Sequence, residues 1–346
     1  MTSLISERQI YIKNYLCCFF PKVIAEVISK YDYEFKGTSY VLGNHEGWVS
    51  FLDILPDCNN WRIVSESLFA SNVIKIWNLQ TKRCDATFLG DTYSWNGASL
   101  PDGRIINVYN ETLRIWNPTE LVDPSQKQSD KNQIDNYDVI LIGHSKIIRC
   151  VAAFHDKCQI ISGSFDCTLK IWSIQKYTYE CMLTLIGHDS EIFSVAILPD
   201  GCIISGDVSG ILKIWNQNSG KCELTIKAHP GRLYDILILP DGRIVTSSRG
   251  LKIKIWNLQD DHHSIKCDVT LQCPGSVLCI AITLDGKIIT SCCGVNNEYM
   301  IKVWDPTSGS CDLTIPNKSN MIRHIKTLPD GQIVTGATDG SILIWN

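Results

Sequence analysis

No stretch of the 346 residues approaches the roughly 18–20 uninterrupted apolar residues of a membrane-spanning helix. The longest apolar cluster near the start, Tyr15-Leu16-Cys17-Cys18-Phe19-Phe20, stops at Pro21 and runs into charge, without the length or small-residue cleavage site of a signal peptide. Neither charge is in large excess. Thirty-two Lys and Arg stand against 36 Asp and Glu, a formal net charge of -4, so the chain lacks the overall basic field of a general nucleic-acid binder. Also absent are a Gly-x-Ser-x-Gly elbow, a phosphate-cradling glycine loop, a His-Glu-x-x-His pair and any Cys-x-x-Cys. These absences argue against secreted, membrane, nucleotide-binding and hydrolytic classes. What is present is 45% hydrophobic residues with 20% charged, enough to bury a core and stay soluble.

Sixteen cysteines are many, but their placement is not that of a stapled scaffold. Five of them, Cys84, Cys181, Cys222, Cys267 and Cys311, fall at one equivalent spot of a repeating unit, each just before a short apolar strand. Equivalent residues in a ring of repeats sit far beyond the roughly 7 Å Cα limit of a disulfide. They are read as space-filling thiols of a reducing compartment, the cytoplasm or the nucleus. The vicinal pairs Cys17-Cys18 and Cys292-Cys293 lack metal-site spacing, and Asp261-His262-His263 reads as a solvated loop. No metal or cofactor is expected.

The repeat decides the fold. A segment ending in Ile/Val-Trp-Asn/Ser/Asp or its close variant recurs seven times, with tryptophans at 77, 116, 172, 215, 256, 304 and 345, spaced by 39, 56, 43, 41, 48 and 41 residues. Upstream of each lies a tight turn: Pro56-Asp57, Pro101-Asp102-Gly103, the degenerate His155-Asp156-Lys157, Pro199-Asp200-Gly201, Pro240-Asp241-Gly242, Asp285-Gly286 and Pro329-Asp330-Gly331. Proline presets one turn dihedral and glycine takes the positive φ. Between the markers are four- to six-residue β-branched runs, such as Ile236–Leu239, Ile244–Thr246 and Ile253–Trp256, which read as strands a, b and c. A fourth strand, d, follows at Ala86–Phe88, Val139–Leu141, Leu183–Leu185, Leu224–Ile226, Val269–Leu271 and Leu313–Ile315.

Seven units supply seven a, b and c strands, but only six d strands follow a c strand. The missing one is available at the other end, where Ser39-Tyr40-Val41-Leu42 has the d pattern. The expectation is an all-β ring of seven four-stranded sheets, closed by the N-terminal strand and free of long unpaired edges.

The chain resembles a WD-repeat β-propeller over residues 38–346. Gly143-His144, Gly187-His188 and Ala228-His229 match the family's Gly-His dipeptide before strand a, with His45 placed equivalently. The resemblance implies a hydrogen-bonded set of His, Ser/Thr, Asp and Trp in each blade, and it maps fully only onto the third, as His144, Ser162, Asp166 and Trp172. His144, Ser162 and Asp166 name the members of a nucleophilic triad, but here they are read as a structural tie, and no enzyme is expected. The seventh blade keeps Thr335, Asp339 and Trp345 without a His. The second has Asp91 and the sixth Cys273-Pro274 in its place.

In the family's pattern three positions per blade point into the top rim. Of these 21 positions seven are aromatic, four are Arg, one is Glu and none is Lys. The candidates for partner contact are Trp48, Tyr93, Trp95, Tyr109, Arg149, Phe165, Phe193, Arg232, Tyr234, Arg249, Met321 and Arg323. Trp, Tyr and Arg dominate binding hot spots. Arginines with almost no acid beside them suit forked hydrogen bonds to an acidic, phosphorylated or carboxylate-bearing peptide. The alternative, that the aromatics merely pack between blades, does not account for the arginines.

Two polar insertions, residues 117–137 and 258–266, lengthen c–d connections and are expected as mobile loops on the bottom face. Residues 1–37 precede the propeller. Within them Pro21 opens a helix-spaced run with apolar Val23, Ile24, Val27, Ile28 and Tyr31. The pattern from Phe20-Pro21 to Ile28 resembles the opening helix of an F-box, as in F-box/WD-repeat proteins, short versions of which are similar to proteins of large DNA viruses. That resemblance implies docking to a Skp-type adaptor of a cullin ubiquitin ligase. A full F-box needs several helices, whereas Tyr31 leads into the propeller within ten residues, so the other reading is a helix that caps the propeller flank.

Overall fold

The computed structural model describes residues 37–55, 61–68, 73–89, 96–118, 139–154, 158–175, 178–248, 250–259, 264–294, 298–317 and 321–346. Twenty-eight strands form seven four-stranded sheets, each a blade of a β-propeller. Six blades take their strands consecutively. In the seventh, the N-terminal strand Ser39–Asn44 lies outermost against Ser341–Trp345, followed inward by Ile333–Ala337 and Ile322–Thr327. Tyr40 pairs with Ile344 and Val41 with Leu343, and Thr38 and Asn346 exchange backbone hydrogen bonds of 3.3 and 2.8 Å. The ring closes as the strand count requires.

The a–b turns form for a local reason. Gly103, Gly201, Gly242, Gly286 and Gly331 all have φ between 83° and 91°, the left-handed region that a Cβ disfavours. The turn aspartate accepts the N–H two residues on, as at Asp102–Arg104, Asp200–Cys202, Asp241–Arg243 and Asp330–Gln332, at 2.9–3.1 Å. The turns at Pro56-Asp57 and His155–Lys157 lie outside the described residues.

Alternation along each strand buries one side against each neighbouring blade, and seven apolar clusters result, one at every blade–blade boundary. At each boundary a strand-c tryptophan of one blade packs against the preceding blade. Trp215 sits with Ile161, Leu169 and Leu185, and Trp77 with Leu42, Val334 and Ile344. Each fully buried Leu, Ile or Trp contributes on the order of 2–3 kcal/mol. A repeated β-bulge marks strand d. The five equivalent cysteines each sit opposite the blade's tryptophan, where the c–d register slips by one residue. Each thiol there reaches the carbonyl two residues on at 3.1–3.7 Å.

In the third blade Trp172 Nε1 donates to Ser162 Oγ at 2.8 Å, His144 Nε2 lies 2.8 Å from the same oxygen, and His144 Nδ1 lies 2.8 Å from Asp166. The ionised Asp166 carboxylate can only accept, so Nδ1 carries the hydrogen, and the serine hydroxyl, which accepts from the indole, donates to the bare Nε2. Burial would raise the Asp166 carboxyl, but Thr168, the Ser145 N–H and His144 bring it down to about 2. Burial holds the His144 imidazole below its usual range despite Asp166. The set is a sealed structural tie.

The expectation of one complete set needs correction. The fourth blade holds a second: Trp215 to Ser205 at 2.8 Å, His188 Nε2 to Ser205 at 2.6 Å and His188 Nδ1 to Asp207 at 2.9 Å. Asp207 comes two residues after the serine, whereas Asp166 comes four after its own. Both cap the b–c turn, Asp166 through Thr168 N and Asp207 through Ile211 N. The insertion at 258–266 also differs from the expected loop. Its described residues extend strands c and d into a longer hairpin in which Leu258 pairs with Ile265, and both pack against the core. The 117–137 insertion lies almost wholly outside the described residues.

Candidate functional site

The inner strands aim their side chains through a repeated irregularity. In six blades the a–b ladder skips one residue of strand a: Ser50, Arg149, Phe193, Tyr234, Leu278 and Arg323. A bulge of this kind inserts one residue, bends the strand and re-aims its side chain. All six line one cavity of about 890 Å³ in the propeller centre. The second of the three rim positions in each of these blades is thus the bulged residue itself.

Of the twelve candidates, Trp48, Arg149, Phe165, Phe193, Arg232, Tyr234 and Arg323 line this cavity together. Trp48 stays 42% exposed, whereas Phe193 is buried at 8% and stacks on Phe165 with ring centroids 5.3 Å apart. Phe193 therefore packs between blades, as the alternative reading held, yet it also carries the arginines. The guanidinium of Arg232 lies 4.1 Å and that of Arg149 5.3 Å from its ring centre. Arg323 lies 5.7 Å from Trp48 and donates to the Met321 sulfur at 3.6 Å. Such stacking holds the guanidinium planes in place. Tyr109 is not part of the cavity lining and stacks under Arg114 at 4.1 Å. Tyr93, Trp95 and Arg249, like the candidate docking helix from Pro21 to Ile28, lie outside the described residues.

One residue past the bulge come two groups missed in the sequence, Asp235 and His324. Burial raises the Asp235 carboxyl to about 6, against the pull of Arg149 and a hydrogen bond from the Ile280 main chain. Burial, then Arg323, Lys326 and Arg149, lowers His324 to about 3, so the imidazole is neutral. Arg149 is pushed down by burial and, more weakly, by Arg323 and Arg232, against the pull of Cys150 and Asp235. Four cationic side chains, Arg149, Arg232, Arg323 and Lys326, thus share the cavity with one carboxyl that resists ionisation. Deeper in the channel a second cavity of about 490 Å³ is bordered by the Lys326–Asp53 ion pair at 3.1 Å, with Asp53 also accepting the Ser99 N–H at 2.8 Å.

The profile of the WD domain, G-beta repeat, matches residues 137–173, 179–216, 220–257 and 309–346, each a d strand with the a, b and c strands that follow. The matched repeats make up four of the seven blades, and over them the chain is similar to WD-repeat β-propellers. Among similar proteins is the WD repeat-containing protein pop2 of Schizosaccharomyces pombe, 27% identical over 161 residues, covering 40% of this chain and 22% of that protein. The nuclear distribution protein PAC1-2 of Uncinocarpus reesii is 26% identical over 216 residues, 54% of this chain and 43% of its own length. Cell division control protein 4 of Candida albicans is 26% identical over 117 residues, 32% and 16%. The chain thus covers less than half the length of each of these curated relatives.

Proposed function

We propose that the protein is a non-catalytic scaffold whose propeller mouth captures an acidic, phosphorylated or carboxylate-bearing peptide segment of a partner protein. The observation that carries this reading is the convergence of Arg149, Arg232 and Arg323, from three different blades, on one aromatic-lined cavity. Guanidinium forks bind carboxylate and phosphate oxygens in pairs, and a half-enclosed site strengthens each such bond over its value in water. Trp48 offers exposed aromatic area beside them. Capture from a degenerate peptide library tests it. Sequences retained by the wild-type protein are enriched in Asp, Glu or phosphorylated residues, and Arg232→Ala loses them. Retention without acidic enrichment contradicts the reading.

A second reading, the substrate receptor of a ubiquitin ligase, is favoured only by the Phe20-Pro21 to Ile28 pattern. Pull-down of a Skp-type adaptor by the full chain, and its loss on removing residues 1–37, supports it. Equal recovery by both forms removes it. We place the protein in a reducing compartment, the cytoplasm or the nucleus, since Cys84, Cys181, Cys222 and Cys311 are exposed thiols.

A further inference from the structure

One position on strand a shapes the far half of the central channel. In every blade it faces the strand-b residue one place after the isoleucine that pairs with the tryptophan. The second, third and fourth blades place alanine there, Ala98 opposite Ile106, Ala152 opposite Ile161 and Ala196 opposite Ile204. The fifth, seventh and first place Leu237, Lys326 and Asp53, and the sixth has Ala281. Three small side chains in succession leave room on one side of the ring, and there lies the cavity of about 490 Å³. Trp61, Leu284 and Pro329, beside three a–b connections, mark its end as the one opposite the arginine-lined mouth.

We propose that this cavity is a second binding site, which takes a small uncharged aromatic molecule bearing one hydrogen-bonding substituent, of the phenol or indole type. Its volume falls within the roughly 300–1,000 Å³ of small-molecule sites. Trp61, Phe193 and Tyr234 all contribute to its wall, and aromatic side chains pack well against a further ring. Ser99 supplies the polar point. Its Oγ is buried without a hydrogen-bond partner, although its N–H is already given to Asp53 at 2.8 Å. A buried hydroxyl in that condition is unfavourable, and a ligand O–H or N–H that pairs with it relieves the cost.

The charged groups on the wall select against a charged ligand. Lys326 Nζ lies 3.1 Å from one oxygen of Asp53, and the other oxygen of Asp53 holds the Ser99 N–H. These two groups satisfy each other across the seventh and first blades. The remaining acid, Asp235, is pushed up to about 6 by burial and so carries its proton in mildly acidic solution. A carboxylate or an ammonium entering at that pH leaves water without meeting a free opposite charge, and its desolvation is not repaid. Phe193, Tyr234, Asp235 and Lys326 also border the upper cavity, but the alanines and Ser99 do not. The proposal therefore stands or falls independently of peptide capture at the mouth.

The test is saturation-transfer NMR on the full chain at a pH of about 5.5, below the Asp235 titration, with phenol, toluene, benzoate and benzylamine each titrated into the millimolar range. Phenol is expected to bind about fivefold or more tighter than toluene, and benzoate and benzylamine more weakly than either. Ser99→Ala brings phenol to the affinity of toluene. Ala196→Leu, which fills the cavity, removes both, and Arg232→Ala leaves both as in wild type. No transfer from phenol to the wild-type protein overturns the proposal, as does binding of benzoate or benzylamine as tight as that of phenol. A phenol preference that survives Ser99→Ala, or phenol binding lost in Arg232→Ala, overturns it equally, the latter by placing the ligand in the mouth. Should Ala196→Leu fail to fold, the four probes on wild type and Ser99→Ala decide the matter alone.

Discussion

Arg232 of the fifth blade lies over the ring of Phe193 of the fourth, 4.1 Å from its centre, across a blade boundary at the mouth of the central cavity. Phe193 also stacks on Phe165 of the third blade, ring centroids 5.3 Å apart, so the ring under Arg232 is packed on by both neighbouring blades.

The two residues separate stability from binding. Phe193→Ala removes a buried ring and is expected to cost about 3–5 kcal/mol in chemical denaturation. Arg232→Ala at the rim is expected to change stability by less than about 1 kcal/mol while weakening binding of a captured acidic peptide by roughly tenfold or more. Equal effects of both changes on stability would contradict this division of roles.

The second complete tie, at His188 and Asp207, makes a prediction that the sequence alone did not. Asp207→Ala leaves a buried imidazole N–H without its acceptor and a turn without its cap. The expected loss is about 2–3 kcal/mol by urea denaturation, similar to that of Asp166→Ala. A loss within about 0.5 kcal/mol of zero would show that the contact contributes little.

Ring closure depends on a close approach at Gly43. A Cβ added there would lie 2.0 Å from the Trp77 ring, so Gly43→Ala must displace the indole that joins the seventh blade to the first. Leu42→Ala, which empties a buried position in the same cluster, is expected to cost about 2–4 kcal/mol. Gly43→Ala is expected to cost at least about 1 kcal/mol even though it enlarges the side chain. In both variants hydrogen exchange should quicken first in Ile342–Trp345. Uniform acceleration over all blades would argue against a closure-specific effect.

Buried acid and base at the ring centre and top act on stability with opposite signs. Asp235 titrates at about 6 in the folded protein, above the roughly 3.9 of an unfolded aspartate. The folded state keeps that proton longer, so this group lowers stability as pH rises from about 4 to about 6. His45 and His229 are lowered to about 4, in each case chiefly by burial. There the unfolded chain takes up protons first, and stability falls as pH drops from about 6.5 to about 4. Asp235→Asn should therefore gain up to about 3 kcal/mol over wild type above pH ~6 and nothing below pH ~4. A gain of the same size at both pH values would show that ionisation is not its cause.

The ring was legible in the sequence because tryptophans, turns and apolar runs recur, and because the unpaired d strand at Ser39 had one vacancy to fill. The bulges were not read, although they leave a trace. Apolar residues at Leu233 and Ile236, or Ile322 and Ile325, are spaced by three where an unbroken strand spaces them by two. That slip turns Tyr234 and Arg323 into the cavity and brings Asp235 and His324 beneath them. The fourth-blade tie was not read from the sequence; Asp207 follows its serine by two residues, at the end of strand b, where Asp166 follows its own by four. An aspartate at the strand end reaches the same imidazole and caps the same turn from its other side. Leu258 and Ile265 sit in a polar stretch whose composition says loop, and only their cross-strand pairing makes it a hairpin.

The central claim is that guanidinium groups at the propeller mouth recognise anionic side chains. The direct measurement is a double-mutant cycle by fluorescence anisotropy, with a captured acidic peptide and its Gln- or Asn-substituted counterpart titrated against wild type and Arg232→Ala. The account predicts a coupling of about 1.5 kcal/mol or more, so that neutralising the peptide matters far less once Arg232 is gone. Strictly additive losses would contradict it.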